Sequence, residues 1–154
     1  MSVINYITQV RFDFGAAAQA AEACAGLGIA RPLVVTDPGV RAAGLLDRLL
    51  ETLGADTPVF DAVPANPTEA AVRAGVEAYR AAGCDGIVAL GGGSPIDLAK
   101  GVALLATHDG PLRGYAAIEG GAARITPAVA PVIAVPTTAG TGSEVGRGAI
   151  IILD

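Results

Sequence analysis

The stretch IVALGGGSPIDLAK, from Ile87 to Lys100, sets the architecture of this chain. Its apolar start is typical of a buried strand, its end is typical of a helix, and three consecutive glycines, Gly91 to Gly93, separate the two. Glycine carries an entropic cost on folding, so three in a row indicate that a bare backbone is needed at this point. We predict that Ser94 caps the helix, that Pro95 takes its first position, and that Asp97 is the acid of a capping box.

The start of that helix is a candidate anion site. Its first-turn N–H groups and its dipole favour negative charge, and Gly92 and Gly93 would let a phosphate approach the backbone. A tight turn before a capped helix is the alternative, although such a turn needs only one or two glycines. The GxGxxG fingerprint would need glycine where the chain has Ile96, and the Walker Gly-Lys-Ser/Thr is missing. The sequence therefore predicts a nucleotide site of another kind.

Strand and helix patterns alternate along the chain. Strands are predicted at residues 32–37, 57–61, 86–90, 131–136 and 147–153, with one or two edge strands within residues 3–14. Helices are predicted between them, at residues 16–28, 40–54, 65–83 and 94–107. This alternation indicates an α/β fold, a Rossmann-like parallel sheet with helices on both faces, whose ligands bind beyond the carboxyl ends of the strands.

Composition narrows the class of protein. The 154 residues are about one domain, 52% of them are hydrophobic, and the net charge is −5. An acidic surface attracts neither nucleic acid nor an anionic membrane, so we expect neither as a partner. No apolar run approaches the ~20 residues of a membrane helix, and the N-terminus lacks a signal-peptide pattern. With Cys24 and Cys84 interpreted as reduced thiols, these features predict a cytoplasmic protein.

Asp37 is the second candidate, because it ends the predicted strand of residues 32–37. An acid there can accept hydrogen bonds from both hydroxyls of an adenosine ribose and would repel a 2′-phosphate, which favours NAD over NADP. A turn-forming aspartate before Pro38-Gly39 fits the local sequence equally well. In a standard Rossmann domain the acid follows the glycines by about 20 residues, whereas here it precedes them.

The third candidate is PTTAGTGSE, from Pro136 to Glu144. Its hydroxyl groups belong to Thr137, Thr138, Thr141 and Ser143, and Gly140 and Gly142 free its backbone. At the carboxyl end of a strand this segment could hold a second part of the same ligand; a flexible polar connection is the alternative. The segment 65–68, which contains Asn66, is predicted at the same edge of the sheet.

Other polar residues receive structural interpretations. We expect Lys100 to pair with Asp97, one turn earlier on the helix. His108, the only histidine, is expected in solvent, and four glutamates are expected on exposed helix faces: Glu22, Glu51, Glu69 and Glu77. The sequence contains no nucleophile–base pair, no catalytic carboxylate pair and no metal-ligand spacing, so it predicts no catalytic and no metal-binding residue.

GGGSPIDLAK and PTTAGTGSEV, in that order and about 40 residues apart, resemble the iron-containing (group III) alcohol dehydrogenase family. VVTDPGV, PANPT and FGAAAQAA resemble that family's strand-acid-turn, its Asn-Pro segment and its opening helix, so the resemblance covers essentially the whole chain. It implies that residues 1–154 form a dinucleotide-binding domain of the dehydroquinate synthase-like kind, related to the Rossmann fold but distinct from it.

The resemblance also implies roles for individual residues. Asp37 would bind the adenosine ribose, Gly93 and Ser94 would lie at the pyrophosphate, and Thr138 would lie near the nicotinamide. The full implied set of cofactor-binding residues is Asp37, Asn66, Gly92, Gly93, Ser94, Pro95, Asp97, Thr137, Thr138, Thr141 and Gly142. Gly146 departs from the threonine that relatives usually carry after GSEV, which bears on the nicotinamide end.

The implied activity is NAD-dependent hydride transfer on a small alcohol or aldehyde, assisted by a divalent metal, iron or zinc. The family holds that metal with an aspartate and three histidines on a helical C-terminal domain, which we expect to be absent from this chain. The implied protein partners are a separate helical metal-binding half and further copies of the chain. Half of a maleylacetate reductase or of a glycerol dehydrogenase, a stand-alone nucleotide-binding module without turnover, and a non-functional remnant are the alternatives.

Overall fold

A computed structural model of the protein describes residues 8–153. Four parallel strands form one sheet: β1 (Pro32–Val35), β2 (Val59–Phe60), β3 (Gly86–Gly91) and β4 (Val132–Pro136). The α-helices of the described residues are α1 (Ala20–Gly26), α2 (Pro38–Ala42), α3 (Leu45–Leu53), α4 (Glu69–Ala81) and α5 (Gly93–Thr107). Short 3₁₀ helices lie at Ala16–Gln19, Leu112–Tyr115, Ala117–Glu119 and Gly121–Arg124.

The strand order is β2-β1-β3-β4, with β3 buried along its whole length. Side chains alternate between the two faces of a strand. Those of Leu33, Val35, Ile87 and Ala89 therefore pack in one core cluster with α4 and α5. Their neighbours along the strands, among them Val34 and Val88, pack in a second cluster with α1 and α3. The predicted parallel sheet with helices on both faces is confirmed.

Helix α5 is held tightly beneath the sheet, and this fixes the position of its N-terminus. It packs on α4 through glycines: a Cβ on Gly75 would lie 2.6 Å from Val102 Cγ2, and one on Gly101 would lie 2.9 Å from Val72 Cγ2. No larger residue fits at either position without displacing a neighbour. The residues before and at the start of α5 therefore sit on a rigid support.

The predicted helix of residues 40–54 is wrong as a single element. It divides into α2 and α3 at Gly44, whose φ of +73° lies outside the right-handed helical region. Helix α2 begins instead at Pro38, where proline suits the first helical position, and Asp37 caps it. The break turns α3 so that Leu46 and Leu49 bury against the sheet.

The predicted strand of residues 147–153 is also wrong. Its described backbone forms one parallel bridge, between Ile152 and Thr68, and also bonds to two side chains of α5. Of the edge strands predicted within residues 3–14, residues 3–7 lie outside the described part of the chain, and residues 8–14 contain no strand.

Several side chains differ from their predicted surroundings. Glu69 is buried in the first turn of α4 and pairs with Arg73. His108 is half-buried, and its Nε2 accepts a hydrogen bond from the backbone N–H of Thr126 at 3.0 Å. Cys24 and Cys84 are free thiols, and burial raises the pKa of both. Within residues 8–153, no helix combines the length and apolar character needed to cross a lipid bilayer.

Candidate functional site

The chain changes direction across the sheet between β1 and β3, because β2 lies on one side of β1 and β3 lies on the other. In parallel α/β sheets such a switch point opens a crevice at the carboxyl ends of the two strands. Here the crevice has a volume of about 710 Å³. Its lining includes seven of the predicted cofactor-binding residues: Asp37, Gly92, Gly93, Ser94, Pro95, Thr137 and Thr138.

Asp37 lines the crevice and also caps α2. Its Oδ1 accepts a hydrogen bond from the backbone N–H of Val40 at 2.9 Å. Its Oδ2 lies on the side of Gly91, 3.4 Å from where a Cβ on that glycine would stand. The two interpretations of Asp37, turn former and ligand acid, are therefore compatible, because each can use a different carboxylate oxygen.

The start of α5 differs from the prediction. The N-cap is Gly92, Ser94 is the second helical residue and Pro95 is the third, so the predicted cap role of Ser94 is wrong. Ser94 Oγ instead donates a hydrogen bond to the carbonyl of Ala65 at 2.6 Å, which ties α5 to the loop before α4. The helix starts earlier because Gly92 takes the extended conformation of an N-cap.

The first turn of α5 retains free donors. No described side chain caps it, in contrast to α2 and α4, which are capped by Asp37 and Thr68. Among the described residues, the N–H groups of Gly93 and Ser94 have no backbone or side-chain acceptor either. Two N–H donors at the positive end of a 15-residue helix therefore open onto the crevice.

Asp97 lies away from this opening. It is buried at the fifth position of α5, so the capping-box expectation is wrong. Its Oδ2 accepts the N–H of Ile150 at 3.1 Å, and its Oδ1 lies 3.7 Å from Nζ of Lys100, which confirms the expected pair. Asp97 is not among the residues that line the crevice.

The threonine-rich loop after β4 packs directly on the glycine loop. The N–H of Thr137 donates to the carbonyl of Gly91 at 2.9 Å. A Cβ on Gly92 would lie 3.1 Å from Thr138 Oγ1, and a Cβ on Gly93 would lie 3.3 Å from Ser143 Oγ. The glycines thus serve a close approach between two loops as well as an open backbone.

The remaining predicted positions lie at the margin of the crevice. Asn66 is exposed beside the lining residue Ala65, and Thr68, not Asn66, caps α4. Thr141 and Gly142 are exposed and lie outside the lining. The hydroxyl of Thr141 donates to Glu144 Oε2 at 3.2 Å.

Apart from Ala65, sequence reasoning missed the apolar wall of the crevice. This wall is formed by the α2–α3 corner and the segment after β2, and it consists of Gly39, Val40, Ala43, Leu45, Val63, Pro64 and Ala65. The signal was available in part, because residues 63–65 follow a predicted strand and therefore fall at the same edge of a parallel sheet. The corner at Gly44 was hidden by the continuous helical pattern.

Lys100 makes more contacts than the predicted pair with Asp97. Its ammonium donates hydrogen bonds to the carbonyls of Ser143, Gly146 and Gly148, at 2.6, 2.8 and 2.7 Å. Burial lowers the pKa of Lys100, while the carboxylate of Asp97 opposes that shift. Backbone acceptors leave no pattern in a sequence, so only the pair with Asp97 could be anticipated.

The described residues contain no group of three or more histidine, cysteine, aspartate or glutamate side chains that could hold a metal ion. The residues present between 8 and 153 therefore do not fit the metal that the resemblance implies. The crevice, in contrast, combines an acid, free helix N–H donors and hydroxyls, which is a donor set suited to a phosphate-containing ligand.

The fold defines an α/β protein with a crevice at a topological switch point. Residues 8–154 match the family model described as iron-containing alcohol dehydrogenase, and the chain belongs to that family. The resemblance drawn from the two loop motifs is thereby confirmed.

Three relatives illustrate the similarity. The 4-hydroxybutyrate dehydrogenase of Cupriavidus necator is 60% identical over 155 aligned residues, covering 100% of this chain and 41% of that protein. The structure of sulfoacetaldehyde reductase from Bifidobacterium kashiwanohense, in complex with NAD+, is 27% identical, with a TM-score of 0.82, covering 99% of this chain and 46% of that one. A 1,3-propanediol oxidoreductase structure is 34% identical, with a TM-score of 0.76 and coverage of 90% and 41%. The chain thus spans less than half the length of these relatives.

Proposed function

We propose that the chain binds NAD(H) in the crevice between β1 and β3 and supplies the cofactor-binding part of an NAD-dependent alcohol dehydrogenase. The observation that carries this proposal is the order of chemical groups along three adjacent strand ends. An acid follows β1, free N–H donors follow β3, and hydroxyls follow β4. A dinucleotide presents a ribose, a pyrophosphate and a nicotinamide riboside in the same order.

At the adenosine end, Asp37 accepts hydrogen bonds from the ribose hydroxyls through the carboxylate oxygen that does not cap α2. A negative charge at this position repels a 2′-phosphate and so favours NAD over NADP. The apolar wall, with Val40, Leu45 and Val63, offers a surface for the adenine ring. Asn66 lies at the margin of this wall and contacts the cofactor from there.

At the centre, the N–H groups of Gly93 and Ser94 donate to the pyrophosphate, and the dipole of α5 favours its negative charge. Gly92 and Pro95 complete this surface, since neither places a long side chain in front of those donors. Asp97 lies outside this surface and holds the segment around Ile150 against α5.

At the nicotinamide end, Thr137 and Thr138 line the crevice, with Thr141 and Gly142 beyond them. When bound, the nicotinamide ring accepts or donates the hydride that an alcohol loses or an aldehyde gains. The residues of this chain orient that ring through their hydroxyls and backbone. No step is assigned to a metal ion, because residues 8–153 do not supply ligands for one.

The substrate we propose is a small alcohol or its aldehyde, and 4-hydroxybutyrate is the first to test because the relative of that name is 60% identical. NADH formation from 4-hydroxybutyrate and NAD+, once a separate helical metal-binding half and Fe²⁺ or Zn²⁺ are added to the chain, would support the enzyme. Saturable NADH binding without turnover of this or another small alcohol would favour the alternative, a nucleotide-binding module.

A fluorescence titration of the purified protein with NADH and then with NADPH tests the cofactor proposal. We expect saturable enhancement of NADH emission and weaker binding of NADPH. Equal affinity for the two would remove Asp37 from the ribose. No binding of either by a chain that circular dichroism shows to be folded would overturn the proposal.

A further inference from the structure

Lys100 is the only lysine of the chain, which carries ten Lys and Arg residues in all. Its side chain is 17% exposed, and its ammonium contacts three backbone carbonyls between Ser143 and Gly148. An ammonium has three N–H donors on a compact centre, so these three carbonyls saturate it. A planar guanidinium directs its donors differently and does not match this arrangement.

Asp97 completes the attachment from the preceding turn of α5. Its side chain is 10% exposed, one oxygen lies near Lys100 Nζ, and the other accepts the N–H of Ile150. Two side chains of one helix thus bind four backbone groups of residues 143–150. Because this segment contains no helix or strand, these contacts take the place of a sheet ladder.

The segment held in this way continues directly into the loop at the crevice. Ser143, whose carbonyl accepts from Lys100, also places its hydroxyl against Gly93 at the start of α5. Thr141 packs on the same glycine, and Thr138 approaches Gly92. Lys100 therefore fixes the C-terminal end of a loop whose N-terminal end lines the proposed nicotinamide site.

We propose that Lys100 and Asp97 are positioning residues that hold residues 137–146 in place over the nicotinamide end of the crevice. This inference rests on the proposed function. It predicts that loss of the attachment weakens binding of the nicotinamide half of the cofactor and spares the adenosine and pyrophosphate half, whose contacts lie at Asp37, Gly93 and Ser94.

The test compares NADH with ADP-ribose, which lacks the nicotinamide, in three variants of the purified protein. Lys100→Met keeps the length of the side chain and removes its donors, and Lys100→Arg keeps the charge opposite Asp97. Arg80→Met is the control, since Arg80 also donates to a backbone carbonyl, that of Leu105 at 3.1 Å, but away from the crevice. Circular dichroism establishes which variants are folded.

We expect both Lys100 variants to lower the affinity for NADH by about 10-fold or more and the affinity for ADP-ribose by less than about 2-fold. Arg80→Met should change neither affinity. A purely structural role would weaken both ligands together. Should Lys100→Met fail to fold, Lys100→Arg still decides the question. Unchanged NADH affinity in a folded Lys100 variant, or equal loss of both ligands, would overturn the inference.

Hydrogen exchange of residues 143–150 provides a readout that does not depend on the cofactor. We expect the amide of Ile150 and its neighbours to exchange at least about 10-fold faster in Lys100→Met than in the unmodified protein. Unchanged exchange would show that Lys100 does not hold the segment. If the unmodified protein bound neither NADH nor ADP-ribose, the proposed function would fail, and the exchange rates would still decide whether this attachment exists.

Discussion

The carboxylate of Asp37 and the backbone of Gly91 meet at the switch point of the sheet. A Cβ on Gly91 would lie 3.4 Å from Asp37 Oδ2 and 2.5 Å from Pro95 Cγ, and the φ of this glycine is +151°. The first of the three glycines therefore allows the acid after β1 and the helix after β3 to approach each other. The crevice depends on this contact, since it brings the carboxylate of Asp37 next to the N-terminus of α5.

Replacing Gly91 should accordingly destabilise the fold. We expect Gly91→Ala to lower the free energy of unfolding by about 2 kcal/mol or more, because the added methyl group overlaps Pro95 in a backbone conformation that alanine disfavours. Urea denaturation measures the change. Gly26→Ala is the control: this glycine ends α1 with nothing within 4 Å of its Cβ position, and its variant should be as stable as the unmodified protein or slightly more stable. Equal stabilities for the two variants would contradict the packing described for Gly91.

One substitution separates the capping role of Asp37 from its proposed role at the ribose. Serine is as good an N-cap as aspartate but carries no charge. Asp37→Ser should therefore keep the stability within about 0.5 kcal/mol and lower the preference for NADH over NADPH by about 10-fold or more. Fluorescence titrations with both cofactors measure the preference. Thr68→Ala, which removes the cap of α4, should lower the free energy of unfolding by about 1 kcal/mol and leave the preference for NADH over NADPH unchanged. An unaltered preference in Asp37→Ser would leave Asp37 with its cap role alone.

Gly93 separates the crevice from the loop that covers it. A Cβ at this position would lie 3.3 Å from Ser143 Oγ and 3.4 Å from Thr141 Cβ. Gly93→Val adds two methyl groups beyond that Cβ, so we expect it to displace the loop and to lower the affinity for NADH by about 100-fold or more. The same fluorescence titration measures this affinity. Retained affinity in a folded Gly93→Val protein would mean that the glycine serves only the turn.

Asp85 couples the stability of the sheet to pH. Its carboxylate accepts the N–H groups of Arg31 at 2.8 Å and Ala30 at 3.0 Å, just before β1. The hydrogen bond from Arg31, reinforced by that from Ala30, lowers the pKa of Asp85 against a smaller opposing effect of burial. Because the folded-state pKa is depressed, the stabilisation is complete above the unfolded pKa of about 3.9 and is lost as the pH falls through the folded value.

Asp85→Ala should therefore lower the free energy of unfolding by about 1 kcal/mol at pH 7. This loss is modest because the carboxylate is exposed to solvent. The difference from the unmodified protein should shrink as the pH falls below about 4, as thermal denaturation across pH would measure. Asp56→Ala, at an exposed position in the turn after α3, should show neither effect. A difference that stayed constant down to the lowest pH at which the protein folds would exclude the ionised carboxylate as its cause.

Much of the architecture could be predicted from local patterns. The β-branched runs predict strands, and the glycine run and the acid at residue 37 each indicate where a strand ends. Parallel strands bring these ends to one edge of the sheet. The sequence could not reveal that Gly44 breaks a continuous leucine pattern, because an isolated glycine is also tolerated within a helix. Only its positive φ in the folded chain makes it a corner.

The last apolar run shows the other kind of limit. Residues 149–153 have strong strand propensity, yet the N–H of Ile150 bonds to Asp97 and the nearby carbonyls bond to Lys100. Tertiary contacts from α5 override the local preference there. Asp97 lies at the fifth position of α5, and not at the predicted capping position, because the helix begins at Gly93.

The most direct test of the central claim is to map the dinucleotide site by nuclear magnetic resonance, using amide shifts of the ¹⁵N-labelled protein titrated with NAD+. The account predicts the largest shifts at Gly92, Gly93 and Ser94, with smaller ones at Asp37 and Thr138. A second cavity, lined by Arg73, Arg80 and His108 among others, provides an internal comparison, since it lies elsewhere on the molecule and also offers cationic groups. Shifts centred on that cavity, or none at the start of α5, would contradict the assignment of the crevice between β1 and β3 as the cofactor site.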